Sequence, residues 1–106
     1  MAWLYLILAG ILEVFWSTFL KLSDGFSIFK FSVLTVIGMV LSFIFLAQAT
    51  KTLPLGTSYA IWTGIGALGA VIVGVILFKE PLTSARIFFV ALLLFGIIGL
   101  KVTSGH

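Results

Sequence analysis

Long apolar runs alternate with short polar breaks along the chain, and the alternation occurs four times. The first run, Trp3 to Leu20, stops at Lys21-Leu22-Ser23-Asp24-Gly25, where an Asp-Gly pair supplies turn chemistry. The second covers roughly 31–50 and ends before Lys51, with Pro54 and Gly56 in the connection. The third runs over 56–78 without a charge and closes at Lys79-Glu80-Pro81. Thr83 or Ser84 can cap the fourth, over 84–101, whose uninterrupted apolar core is Ile87 to Leu100. That core is short, but Arg86 and Lys101 at its ends can snorkel to opposite interfaces and lengthen the span. The runs are continuously apolar and lack the alternation a membrane strand needs, so they read as helices rather than barrel strands.

Each run is close to the ~20 residues that cross a bilayer as a helix. The expected fold is therefore an all-α membrane protein, a single domain over 1–106 with four transmembrane helices and no extramembrane domain. Composition agrees: 62% of residues are hydrophobic and 8% charged, with a mean hydropathy of +1.37, where a soluble domain would be about 25% charged. Met1-Ala2-Trp3 enters the first run without a basic segment or a cleavage site, so that run reads as a retained helix. There are no cysteines and hence no disulfides or thiolate chemistry. The net charge of +3 does not point to nucleic acid, because the six basic residues stand singly at helix ends, where they act as interfacial anchors.

Those basic residues also bear on orientation. Lys21, Lys30, Lys79 and Arg86 fall on one side, and Lys51, Lys101 and the amino terminus on the other. Positively charged loops stay cytoplasmic, so so even a distribution favours insertion in both directions and pairing of the two populations as an antiparallel homodimer. A modest bias could still enforce one topology.

Against this background one residue stands out. Glu13 lies inside the first apolar run, and a carboxylate in hydrocarbon costs roughly 2.5 to 3.5 kcal/mol even on lenient scales. The two other acids lie near loops. Helical geometry puts Leu6, Ala9, Gly10, Trp16, Ser17 and Leu20 on the face of Glu13. In the second helix Gly38, Met39 and Ser42 share a face, and in the third Ser58, Tyr59, Trp62, Gly66 and Gly69 do. A mid-membrane acid near indoles and a phenol suits an organic cation, which aromatic faces attract by roughly 0.5 to 2 kcal/mol each. The same acid can take up a proton, and exclusive occupancy by proton or cation is a physical basis for antiport.

Simpler roles compete for most of these residues. Trp3 and Tyr5 suit an interfacial belt. Trp16 and Trp62 could line a site or only pack, with the indole N–H on a carbonyl. Ser42 by itself is expected to bond back to the carbonyl of Gly38. Gly66-Ala70 and Ala70-Gly74 have small-xxx-small spacing and read as helix packing, as do Gly96 and Gly99. No His, Ser or metal-ligand set surrounds Glu13, and His106, the one histidine, ends a polar tail; no enzyme, metal site or cofactor is expected.

The segment Glu13 to Lys21, EVFWSTFLK, followed by Ser23-Asp24-Gly25-Phe26, and the segment Pro54 to Gly66, PLGTSYAIWTGIG, resemble the small multidrug resistance transporters over essentially the whole chain. The resemblance implies four-helix subunits in antiparallel dimers, in a bacterial cytoplasmic (inner) membrane, performing proton-coupled export. It also implies that Glu13 is the essential acid, contributed by both subunits to a shared site that Tyr59 and Trp62 line. Multidrug members typically carry a small residue three positions after that acid. Trp16 stands there in this chain, and a hydroxyl at Ser42; both resemble the guanidinium-exporter branch. Guanidinium is planar and rich in N–H donors that fit a carboxylate edge-on. In this reading Trp16 and Ser42 orient Glu13, and Gly10 leaves room for the ligand. Two alternatives stay open: export of hydrophobic quaternary ammonium ions, and a non-transporting accessory subunit in which Glu13 pairs with a basic residue of another protein.

Overall fold

The computed structural model describes residues 1–103, so His106 and the polar tail lie outside the described residues. Four helices follow one another: α1 (Ala2–Leu22), α2 (Phe29–Ala49), α3 (Leu55–Leu77) and α4 (Ser84–Thr103). All are long and apolar enough to cross a membrane, and at 1.5 Å per residue each measures about 30 Å or more, the thickness of a hydrocarbon core. The chain is a multi-pass, all-α membrane protein.

The helix ends depart from the apolar runs by up to two residues, and side chains account for the differences. α1 continues through Lys21, because a lysine can stay helical while its ammonium reaches outward. It closes at Ser23, whose backbone N–H donates to Phe19 O at 2.8 Å. The Ser23 hydroxyl donates to Leu20 O and accepts from the N–H of Phe26. Asp24, Gly25 and Phe26 then all take positive φ, so the turn extends beyond the Asp-Gly pair. α2 begins at Phe29, with the Lys30 ammonium 4.9 Å from the Phe31 ring centroid. Of the two candidate caps for α4, Thr83 takes the role, its hydroxyl accepting the N–H of Arg86 at 3.2 Å. α4 runs past Lys101 to Thr103, whose hydroxyl donates to Gly99 O at 2.7 Å, giving 20 helical residues around the short apolar core.

α1 packs against both α2 and α3, which also meet each other, while α4 packs on α3 and reaches α1 where the Lys101 ammonium stands 5.4 Å from the Trp3 ring centroid. The molecule measures 43 × 35 × 16 Å. The shape is flat, and most of the surface of each helix is left uncovered by the rest of the chain. The buried apolar residues Leu6, Ala9, Ala49, Leu53, Ile61 and Trp62 gather where α1 begins, α2 ends and α3 begins. No residue of α4 is buried. Gly96 and Gly99, expected to pack helices, have nothing within 4 Å of where a Cβ would stand; they lie on a part of α4 that no other helix of this chain covers.

A candidate cation and proton site on α1 and α3

Glu13 lies near the middle of α1. The helix leans its side chain onto α3, where Gly66 leaves a hollow that a Cβ would fill at the expense of the Glu13 carboxylate. Gly66 was expected to pack against a helix backbone, and instead it seats the acid. Glu13 Oε1 is buried and has no hydrogen-bond partner. The carboxyl group opens on a cavity of about 220 Å³ lined by Trp16, Ser17, Thr63, Gly66, Ala67 and Ala70. Trp16 Nε1 is likewise buried without a partner. The unsatisfied acceptor beside the cavity is therefore the Glu13 carboxylate. Buried polar groups are normally paired, and leaving one unpaired costs about 1–3 kcal/mol, more for charged groups, so the Glu13 oxygen fits a site that a hydrogen-bond donor completes. Ser17, one turn from Glu13, spends its proton locally by donating to Val14 O at 3.0 Å.

The other expected site residues form a separate group one turn nearer the start of α1. The Ser42 hydroxyl does not bond back to Gly38, and it does not bond to Glu13. It donates across the helix interface to Ala9 O at 2.7 Å and accepts the Trp62 indole N–H at 2.9 Å. Ala9 O is also the carbonyl that receives the N–H of Glu13 in α-helical geometry. Ser42 therefore ties α1, α2 and α3 together one turn from the acid. Trp62 is only 6% exposed and its ring meets Tyr59 and Phe43 edge-on at centroid distances of 5.5 and 5.6 Å. Tyr59 is 55% exposed, and within this chain neither it nor Trp62 lines the Glu13 cavity.

Gly10 also differs from expectation. A Cβ there would stand 2.6 Å from Ile65 Cγ2, so the space beside Gly10 is filled by an α3 side chain and not kept for a ligand. Thr63 and Ala67 were missed. The signal was available: Thr63, Gly66, Ala67, Ala70 and Gly74 recur at helical spacing, and one such face contains a hydroxyl. Gly74 seats the Glu80 carboxylate rather than a helix, with Oε2 2.6 Å from an ideal Cβ. Among the described residues no group of three His, Cys, Asp or Glu side chains is placed to hold a metal ion.

Comparison with known proteins is consistent with these features. The family model described as Small Multidrug Resistance protein matches residues 1–93. A protein named guanidinium exporter from Yersinia pseudotuberculosis is 51% identical over 104 residues, covering 98% of this chain and 100% of the relative. Proteins of the same name from Salmonella typhimurium and Escherichia coli are each 49% identical over 104 residues, covering 98% of this chain and 99% of theirs. With a mid-span acid, four spans and relatives matched from end to end, the chain belongs to the small multidrug resistance family of membrane transporters.

Proposed function

We propose that the protein exports guanidinium and small guanidinyl cations across a bacterial cytoplasmic membrane in exchange for protons, with both ions competing for Glu13. The observation that carries this reading is the buried, unpartnered Glu13 oxygen beside a 220 Å³ cavity. A planar cation can donate N–H groups to that carboxylate. A proton satisfies the same oxygen, so the two states exclude each other. The names of the relatives support the choice of substrate.

A quaternary ammonium ion has no N–H donors and relies on aromatic faces. Of the aromatic residues, only Trp16 lines the cavity with Glu13, while Tyr59 and Trp62 face each other elsewhere. That arrangement favours the donor-rich cation.

The working unit in this reading is an antiparallel homodimer. The Glu13 cavity is lined by α1 and α3 alone, and a second, inverted copy would close it and bring its own Glu13. The antiparallel helices put Lys21, Lys30, Lys79 and Arg86 at one end of the bundle and Lys51 and Lys101 at the other. So slight a bias suits insertion in both directions. Purified protein in proteoliposomes tests the proposal: an imposed guanidinium gradient should drive proton flux, and Glu13→Gln should remove it. Guanidinium movement without proton movement would overturn the coupling.

A further inference from the structure

A second acid, Glu80, shares a groove with Glu13. Glu13, Ser17 and Lys21 recur every four residues along one face of α1, and Gly66, Ala70 and Gly74 do so along α3. The two helices run in the same direction, so these faces meet in register. Beyond the Glu13 cavity lies another of about 150 Å³, lined by Ser17, Lys21, Ala70, Gly74, Phe78 and Glu80. Ser17 and Ala70 border both cavities. They are consecutive stretches of one groove that rises about 12 Å, the length of eight helical residues, from mid-span to the end of the bundle. Small residues alone would only mark close packing; here the floor they form has an acid at each end.

The backbone fixes Glu80 at the mouth of the groove. Lys79 adopts a φ of 54°, turning the chain so that the N–H groups of Phe78 and Glu80 both donate to Gly74 O at 3.1 Å. The Glu80 carboxylate then fills the hollow over Gly74. On its other side stands a guanidinium, that of Arg86, with Nη2 3.3 Å from Glu80 Oε1. Arg86 Nη1 donates to Pro81 O at 2.8 Å. The ion pair is a single contact, longer than the 2.7–2.9 Å usual for charged partners, and its side chains are 32% and 38% exposed. Such pairs are weak and exchangeable. Lys21, the nearest competing cation on α1, sits with its ammonium 4.9 Å over the Phe78 ring.

We propose that Glu80 is a peripheral docking site for guanidinium-class cations at the mouth of the groove leading to Glu13, and that Arg86 occupies it until an arriving cation displaces it. The exchange is like for like: a free guanidinium can donate to the Glu80 carboxylate and the Pro81 carbonyl as Arg86 does, leaving neither acceptor unpaired. The inference rests on the cation-transport reading above. Its competitor is a purely structural ion pair that pins the α3–α4 connection.

The sign of two substitutions separates these roles. In the reconstituted full chain, Glu80→Gln should raise the KM for guanidinium about threefold, the scale of a partly exposed ion pair, while Arg86→Gln, which frees the acid, should lower it by a similar factor. The double variant should behave as Glu80→Gln. Shifts of the same sign in both single variants, or no shift in either, would overturn the docking role. A second measurement does not depend on transport: amide NMR shifts of Gly74, Glu80 and Arg86 in the Glu13→Gln protein, titrated with guanidinium chloride or with equal sodium chloride. We expect saturable shifts with guanidinium alone, abolished by adding Glu80→Gln; identical shifts in sodium would overturn the site. Saturable shifts in a protein whose wild type moves no guanidinium would sink the transport reading and leave the docking site standing.

Discussion

Glu13 and Glu80 are the same residue type, each seated over an α3 glycine, and the chain treats them oppositely. Glu80, at the end of the bundle, is given a guanidinium partner from within the chain. Glu13, in mid-span where an unpaired charge costs most, is given none: its Oε1 is buried without a hydrogen bond, and the Ser17 hydroxyl that borders the same cavity donates to Val14 O instead. A structural acid would be expected the other way round, paired where it is buried and free where it is wet. The reversal supports the exchange role proposed for Glu13, and the Arg86–Glu80 pair shows in miniature the contact a guanidinium can make with a carboxylate.

The comparison can be broken most sharply by removing each acid. Glu13→Gln should abolish guanidinium–proton exchange in proteoliposomes while the protein remains folded by circular dichroism and cross-links as a dimer, because the amide keeps the shape and cannot exchange a proton. Glu80→Gln should leave exchange detectable. If the two substitutions had equal effects, the contrast would be lost.

The glycines under the acids come next. Gly66→Ala drives a Cβ into the Glu13 carboxylate, and we expect guanidinium affinity to fall at least tenfold, which requires only about 1.4 kcal/mol. Gly74→Ala displaces Glu80 toward solvent and should have a smaller effect. Calorimetric binding by the two variants checks the order, and a Gly66→Ala protein with unchanged affinity would mean that the carboxylate does not bind from its seat on α3.

Ser42→Ala should have a smaller effect again on binding and a clearer one on stability. It leaves the Trp62 indole N–H without its acceptor and unties α2 from Ala9, a loss on the order of 1–3 kcal/mol for a buried group left unsatisfied. Unfolding in mixed micelles would report it. If Ser42→Ala weakened binding while stability stayed at the wild-type level, the hydroxyl would have to act on Glu13 directly.

The four spans were legible because each apolar run is long and closed by turn residues, and Glu13 because an acid in such a run has no ordinary reason to be there. Trp16 could be placed beside the acid from helical periodicity and does line its cavity. The function of small residues was not legible in the same way. Gly66 and Gly74 follow the spacing of packing glycines, and that spacing is identical whether the hollow receives a helix or a carboxylate. Ser42 and Ala9 are separated by 33 residues, so a bond between them depends on how α1 and α2 meet, which no local pattern encodes. Local reasoning instead favoured Gly38 as the partner, the nearest carbonyl along its own helix. Gly10 looked like open space because its missing side chain was visible in the sequence and the Ile65 side chain that fills the gap was not.

The central claim is that proton and cation compete for Glu13. Its sign with pH follows directly: protonation removes the negative charge that attracts guanidinium, so affinity should weaken as pH falls, by at most about tenfold per pH unit for each proton displaced, and bound guanidinium should in turn expel that proton. The Glu13 residues of a dimer would titrate as a coupled set. Titration calorimetry of guanidinium in buffers of different ionisation enthalpy counts the protons released. The account predicts net proton release on binding in the wild type at pH values where Glu13 is partly protonated, and none from Glu13→Gln. Binding of guanidinium by the wild type with no proton release at any pH would contradict it.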